Sequence, residues 1–182
     1  MKNVCVFLGS RLGNQPHFVK ATEELAEVLV KNSLRLIYGG GRVGLMGTLA
    51  DAVLNKGGEV VGVIPKDLFS KEVGHDGLTK LYEVSSMHER KALMENLSHA
   101  FIAMPGGFGT LDEMCEIITW SQIGLHDKPM ALLNTGGFFD GFMKFIGDAA
   151  SAGFIPEGDV SKLIFSKDPA EVVAKIKARL KD

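Results

Sequence analysis

Short apolar runs rich in β-branched residues alternate with amphipathic stretches along the whole chain. No other feature constrains the fold as much. Asn3–Leu8, Leu34–Tyr38, Glu59–Ile64, Ala100–Met104, Met130–Leu133 and Leu163–Phe165 read as strands. Helical patterns lie between them at about 16–32, 44–57, 87–98, 111–123, 138–152 and 169–181. Strands that alternate with helices pair in parallel through right-handed crossovers, which predicts an α/β three-layer sandwich with a mainly parallel sheet. The strand runs are continuously apolar, as a sheet covered on both faces requires. No Pro/Ser-rich linker or change of composition divides residues 1–182, so a single domain is expected.

Composition excludes several classes. The formal charge of −2 argues against a nucleic-acid binder that works by neutralising phosphates. No apolar stretch approaches the length of a membrane span, and the run Val4–Leu8 is too short for a secretory signal core. Cys5 and Cys115 allow at most one disulfide; each sits in an apolar-patterned segment and reads as a buried free thiol of a cytoplasmic protein. Histidines 17, 75, 88, 99 and 126 show no metal-ligand spacing, so no metal is expected. The Phe-rich segment Phe138, Phe139, Phe142, Phe145, Ile146 reads as the core-facing stripe of a helix. Pro65–Lys80 is the longest interval without periodicity; it follows a strand end, where open α/β sheets bind ligands.

The chain holds 22 glycines, well above the usual share of about 7%. Gly39-Gly40-Gly41-Arg42-Val43-Gly44 follows one strand and leads into a helix. It fits G-x-G-x-x-G, although the acid that normally ends the next strand of a dinucleotide fold is absent. Its backbone amides face an anion, or its glycines simply allow a tight turn with close packing; the pattern permits both. Pro105-Gly106-Gly107-Phe108-Gly109-Thr110 is the sharper signal. Its glycines remove the Cβ atoms that would hold a phosphate off the amides at a helix start, and Thr110 adds a hydroxyl. No Lys follows as in an ATP-type P-loop, so the turn suits a monophosphate.

Glu113 stands three residues after Thr110, and Thr110-Leu-Asp-Glu113 has the form of a capping box. So do Ser86-Met-His-Glu89 and Asp168-Pro-Ala-Glu171. Only position distinguishes Glu113, beside a phosphate-type loop at a strand end. Arg90 and Lys91 stand early in the helix 87–98, where cations oppose the macrodipole. They form either a solvated basic pair bonded to Glu89 or Glu95, or a functional one.

Three motifs occur in order: Gly39-Gly40-Gly41-x-x-Gly44-Leu45-Met46-Gly47, then Met87-His88-Glu89-Arg90-Lys91-Ala92, then Pro105-Gly106-Gly107-Phe108-Gly109-Thr110-Leu111-Asp112-Glu113. With Trp120–Pro129 behind them, nearly the whole chain closely resembles the LOG (Lonely Guy) family. These are cytokinin riboside 5'-monophosphate phosphoribohydrolases, often mislabelled as lysine decarboxylases. The resemblance implies a Rossmann-like fold and hydrolysis of the N-glycosidic bond of an adenine- or cytokinin-type nucleoside 5'-monophosphate, without metal or organic cofactor. It implies Arg90 and Glu113 as the catalytic pair. It also implies substrate contacts from Glu72, Arg90, Lys91, Gly107, Phe108, Gly109, Thr110, Leu111, Asp112, Glu113 and Thr119, and a homodimer with its sites near the interface. The chain departs from the family at the end of its first strand, where Leu8-Gly9-Ser10-Arg11 replaces a Cys-Gly-Ser-Ser type turn.

The alternative function is a non-catalytic carrier of a nucleotide or molybdenum cofactor on the same fold. A pyridoxal-phosphate decarboxylase is disfavoured, since the chain is short and no lysine stands in a recognisable Schiff-base context.

Overall fold

A computed structural model describes residues 1–69 and 74–180. Its strands are β1 (Asn3–Phe7), β2 (Arg35–Tyr38), β3 (Val60–Pro65), β4 (Lys80–Val84), β5 (Ala100–Ala103), β6 (Met130–Leu133) and β7 (Leu163–Ser166). Its helices are α1 (Pro16–Lys31), α2 (Gly44–Asn55), α3 (Lys66–Phe69), α4 (Met87–Leu97), α5 (Phe108–Gln122), α6 (Asp140–Ser151), α7 (Glu157–Val160) and α8 (Pro169–Arg179). The strands form one seven-stranded sheet in the order β4-β3-β2-β1-β5-β6-β7, every neighbouring pair parallel. The expected Rossmann-like α/β architecture is what the chain adopts.

Alternate residues of each strand feed two separate cores. Val4 and Val6 of β1 face Leu25 and Leu29 of α1, Leu49 and Val53 of α2, and Val172 and Ile176 of α8. Cys5 and Phe7 face the opposite way, onto Met94 of α4, Met114 and Ile117 of α5, and Phe139. Each buried side chain of Leu or Phe size contributes roughly 1.5–3 kcal/mol, so both layers are firmly held to the sheet. Strand order reverses between β2-β1 and β1-β5. The crevice above the carboxyl ends of β1 and β5 is therefore the place where such a sheet takes a ligand.

The structure corrects four expectations. The sheet has a seventh strand, β4, that carries only one buried residue, Val84. An edge strand with one wet face lacks the continuous apolar run by which the others are legible. The interval Pro65–Lys80 holds local structure: it contains α3, and Gly74 bridges to Gly41. Cys5 is buried as expected, but Cys115 is exposed. Finally, the Phe stripe does not face the core as a whole: Phe139 and Ile146 are buried, whereas Phe138 and Phe145 are 45% and 63% exposed.

No described helix is long and apolar enough to cross a membrane. Among the described residues no group of three or more His, Cys, Asp and Glu is placed to hold a metal ion.

Candidate active site

The helix after the second glycine turn begins three residues earlier than its periodicity suggests. α5 starts at Phe108 with Gly107 as its N-cap, and no side chain caps it. Thr110 therefore lies inside the first turn, and Glu113 in the second. The capping-box form of Thr110 to Glu113 is not realised. The two other boxes begin with true caps: Ser86 Oγ accepts the Glu89 N–H at 3.1 Å, and Asp168 Oδ1 accepts the Ala170 N–H at 2.8 Å. Their glutamates bond to the chain just before the helix, Glu89 to Ser85 N–H at 2.7 Å and Glu171 to the Ser166 hydroxyl. Glu113, in the second turn of α5, does not stand at the third position after the cap as they do.

The glycines of this turn divide by what surrounds them. A Cβ at residue 106 would overlap the Thr110 hydroxyl, so packing alone demands glycine there. At Gly107 and Gly109 a Cβ would meet nothing within 4 Å, and neither has a left-handed backbone. Nothing in the protein itself requires them to be glycine. What they do is leave the uncapped amides of α5 open from outside, with the positive end of the helix behind them. The first glycine turn behaves differently. Gly44 has φ +59° and abuts the Ser10 and Arg11 backbone, and a Cβ at Gly39 would overlap the Arg90 guanidinium. Of the two readings that the sequence permits, close packing is the one realised.

Arg90 is only 5% exposed, so it is no solvated cation. Its Nε donates to Val63 O at 3.1 Å and its Nη2 to Gly39 O at 2.9 Å. The side chain thus runs from α4 onto the carboxyl ends of β3 and β2. Carbonyls there offset the poor placement of a cation at a helix start. Lys91 reaches the other way: its Nζ lies 3.2 Å from both Asp112 Oδ2 and Glu116 Oε1 on α5. Burial would lower the Lys91 pKa, but the hydrogen bonds its ammonium donates to Glu116 and Asp112 outweigh it and hold the pKa above its ordinary range.

The buried Cys5 thiol reports on the field beneath the site. Burial pushes its pKa well up and the Glu113 carboxylate pushes the same way, while the Ser98 hydroxyl, Arg90 and Lys128 pull it back. Arg90 on α4 and Glu113 on α5 stand on two helices that both pack against β1. Nearby, Phe108 is 94% exposed, and Thr110 is buried beneath Gly106. Leu111 is half-buried against the α5 core, and Asp112 is exposed.

Of the remaining expected residues, one is not described and one stands elsewhere. Glu72 lies outside the described residues. Thr119 is six residues beyond Glu113, which places it about 240° around the helix and roughly 9 Å along it. Its hydroxyl donates to Cys115 O at 2.8 Å, and it lines an apolar groove with Ile118, Phe142 and Phe145 rather than the glycine turn.

The crevice at the strand reversal holds a cleft of about 380 Å³, lined among others by Ser10, Arg11, Leu45, Gly106, Gly107 and Phe138. Sequence reasoning singled out the second glycine turn from its residues, and the first-strand turn only through the resemblance, which places nucleotide contacts there and leaves the effect of Arg11 open. The signal was available, because a turn at the end of a central strand lies at the switch point. A larger cavity of about 800 Å³ lies at the opposite end of the sheet, before β6 and β7, and contains none of the expected residues.

Residues 46–176 match the family described as possible lysine decarboxylase. The cytokinin riboside 5'-monophosphate phosphoribohydrolase LOG of Oryza sativa subsp. japonica is 47% identical over 176 residues, 96% of this chain and 72% of the relative. The cytokinin riboside 5'-monophosphate phosphoribohydrolase of Rhodococcoides fascians is 46% identical over 178 residues, 97% of this chain and 90% of the relative. Among solved structures, the Moco carrier protein of Chlamydomonas reinhardtii superposes with a TM-score of 0.73 at 19% identity, covering 97% of this chain and 96% of its own. At that identity the likeness extends to the fold alone. Sequence identity over almost the full length, together with the order of the three motifs, gives the conclusion that the chain belongs to the LOG family of cytokinin riboside 5'-monophosphate phosphoribohydrolases.

Proposed function

We propose that this protein hydrolyses the N-glycosidic bond of a purine nucleoside 5'-monophosphate, adenine- or cytokinin-type, to free base and ribose 5-phosphate. The observation that carries the site assignment is the start of α5. With Gly107 as the cap, Glu113 has no capping role, and Gly107 and Gly109 open uncapped amides to a phosphate. As the C1'–N bond breaks, its electron pair leaves on the base nitrogen and C1' gains positive charge, as in glycoside hydrolysis. Glu113 stabilises that charge and orients the attacking water, whose oxygen bonds to C1'. The proton lost by water ends on the base. Arg90, clamped on Gly39 and Val63 carbonyls, orients Glu113 or the substrate. Lys91, Phe108, Thr110, Leu111 and Asp112 complete the proposed contacts on this side. Binding of the remote phosphate fixes the reacting geometry.

The test is direct: incubate the protein with AMP and with its N6-isopentenyl derivative, then quantify free base and ribose 5-phosphate. Release of both products supports the reading, and no release from either by folded protein sinks it. The carrier alternative is not favoured, because the solved carrier is 19% identical while the named hydrolases are 46–47% identical.

A homodimer and a cytoplasmic location belong to the same reading. Support for the dimer comes from Thr119, which faces an apolar groove beside exposed Phe145, so that a second copy seated there would bring this threonine to a site. Glu72 is assigned to the site through the family alone. The two free thiols suit a reducing compartment.

Gly109→Ala separates fold from function within one residue. Alanine in the first turn of α5 meets open space and is expected to stabilise the protein by about 0.5–1 kcal/mol, since glycine costs that much in a helix. The same methyl group stands where the phosphate approaches, so KM for AMP should rise at least tenfold. Urea titration and steady-state kinetics on one preparation read both; an unchanged KM would remove Gly109 from the phosphate site.

A further inference from the structure

The 5'-phosphate of a nucleotide brings about −1.5 to −2 charges at neutral pH, whereas a helix N-terminus offers only about half a positive charge. Some side chain must supply the rest. The motif pair Arg90 and Lys91 is poorly placed to do so alone. Arg90 spends Nε and Nη2 on the Val63 and Gly39 carbonyls. Lys91 is balanced by both Asp112 and Glu116.

Another cation stands on the far side of the glycine turn. Arg11 follows the end of β1 and lines the cleft of about 380 Å³ together with Gly106 and Gly107, and among the described residues it is the one charged residue in that lining. Among the described residues its side chain has no hydrogen bond or ion pair, in contrast to Arg90, Arg35 and Arg179. Its position is firmly set by its backbone. Gly44, with φ +59°, presses against Ser10 and the Arg11 nitrogen, and Gly9 N–H donates to Pro105 O at 3.1 Å, tying this turn to the phosphate-type turn. Leu45, Phe18 and Phe138 also line the cleft, and Arg11 itself is exposed to an incoming ligand. Arg42, in the first glycine turn, is exposed but does not line the cleft.

We propose that Arg11 is a phosphate-binding residue of this site: its guanidinium pairs with the 5'-phosphate of the substrate, opposite the amides of Gly107 and Gly109, and sets the preference for nucleotide over nucleoside. The inference rests on the hydrolase reading above for its substrate, but not for its test. Arg11 acts in binding rather than in bond cleavage, so its effect lies in KM and not in kcat.

The experiment compares wild type, Arg11→Gln, Arg11→Lys and Arg42→Gln. It uses steady-state kinetics on AMP and adenosine and calorimetric binding of ribose 5-phosphate. A charge-assisted contact of ordinary strength corresponds to a 10- to 100-fold effect. Arg11→Gln should therefore raise KM for AMP and Kd for ribose 5-phosphate by about that factor, with kcat and any activity on adenosine unchanged. Arg11→Lys should recover part of the loss, since it keeps the charge but not the planar fork. Arg42→Gln should change KM less than twofold. A Kd and KM within twofold of wild type for Arg11→Gln would overturn the proposal, as would equal losses on AMP and adenosine or an effect of the same size from Arg42→Gln. If wild type releases base from no nucleotide, the hydrolase reading fails, and ribose 5-phosphate binding still decides the role of Arg11.

Discussion

Glu113→Gln is expected to lower kcat on AMP by about 10²–10⁴-fold, the usual contribution of a positioned acid–base or charge-stabilising group. The amide keeps the shape of the side chain but can neither hold a proton from the attacking water nor offset charge on C1'. KM should stay close to the wild-type value, because the phosphate contacts lie in the preceding turn. Stability should also stay within about 0.5 kcal/mol, because Glu113 is half-buried and caps nothing. Glu171→Gln supplies the contrast. Glu171 sits three residues after the true cap Asp168, and its carboxylate is held below the usual range by hydrogen bonds from Lys175 and Ser166. Its replacement should leave turnover unchanged. A Glu113→Gln protein with wild-type kcat would place the chemistry elsewhere.

The second large effect comes from a residue with no chemistry of its own. Gly39→Ala puts a methyl group where the Arg90 Nη2 lies, so the guanidinium must leave or the end of β2 must shift. Either way the bonds to Gly39 O at 2.9 Å and Val63 O at 3.1 Å are lost or distorted. A buried charge-assisted bond is worth about 1.5–3 kcal/mol, so stability should fall by that order. Displacing a catalytic group by about 1 Å can cost 10²-fold, and kcat should fall at least that far, the loss also expected for Arg90→Ala. Gly57→Ala is the control. It has φ +76° but open surroundings, so it should cost stability through backbone strain while leaving kcat alone. Paired urea titrations and progress curves distinguish the cases. Full activity in Gly39→Ala would mean that Arg90 is not needed where it stands.

The contrast between two glycine turns explains how much of the site was legible. Both turns follow a strand and open a helix, and both read as anion cradles. Only contacts from remote segments tell them apart. Gly39 is filled by Arg90, 51 residues away, whereas Gly107 and Gly109 are filled by nothing in the protein. The resemblance to the family identified Arg90 and Glu113 as a pair, while the residues themselves allowed a solvated cation and a helix cap. α5 has a glycine cap because the open turn ends at Gly107. The amphipathic pattern becomes visible only from Leu111, one turn later. The resemblance implies Thr119 alongside Glu113, yet helix geometry turns the two to different sides of α5.

Local periodicity was enough to establish the α/β class, six of the seven strands and the six longer helices, though not the short α3 and α7. Side-chain spacing along a strand or helix is a property of consecutive residues, so it is written directly in the chain. β4 escaped because an edge strand with one exposed face loses that signal. Strand order is a different matter. It sets β2, β3 and β5 around β1 and so decides that Arg90 ends on the carbonyls of Gly39 and Val63. It also decides that Arg11 lines the same cleft as Gly107. These pairings join segments separated by tens of residues, and no local pattern encodes them. The sequence by itself determined the layers and the open glycine turn, and the tertiary structure decided which charges stand around it.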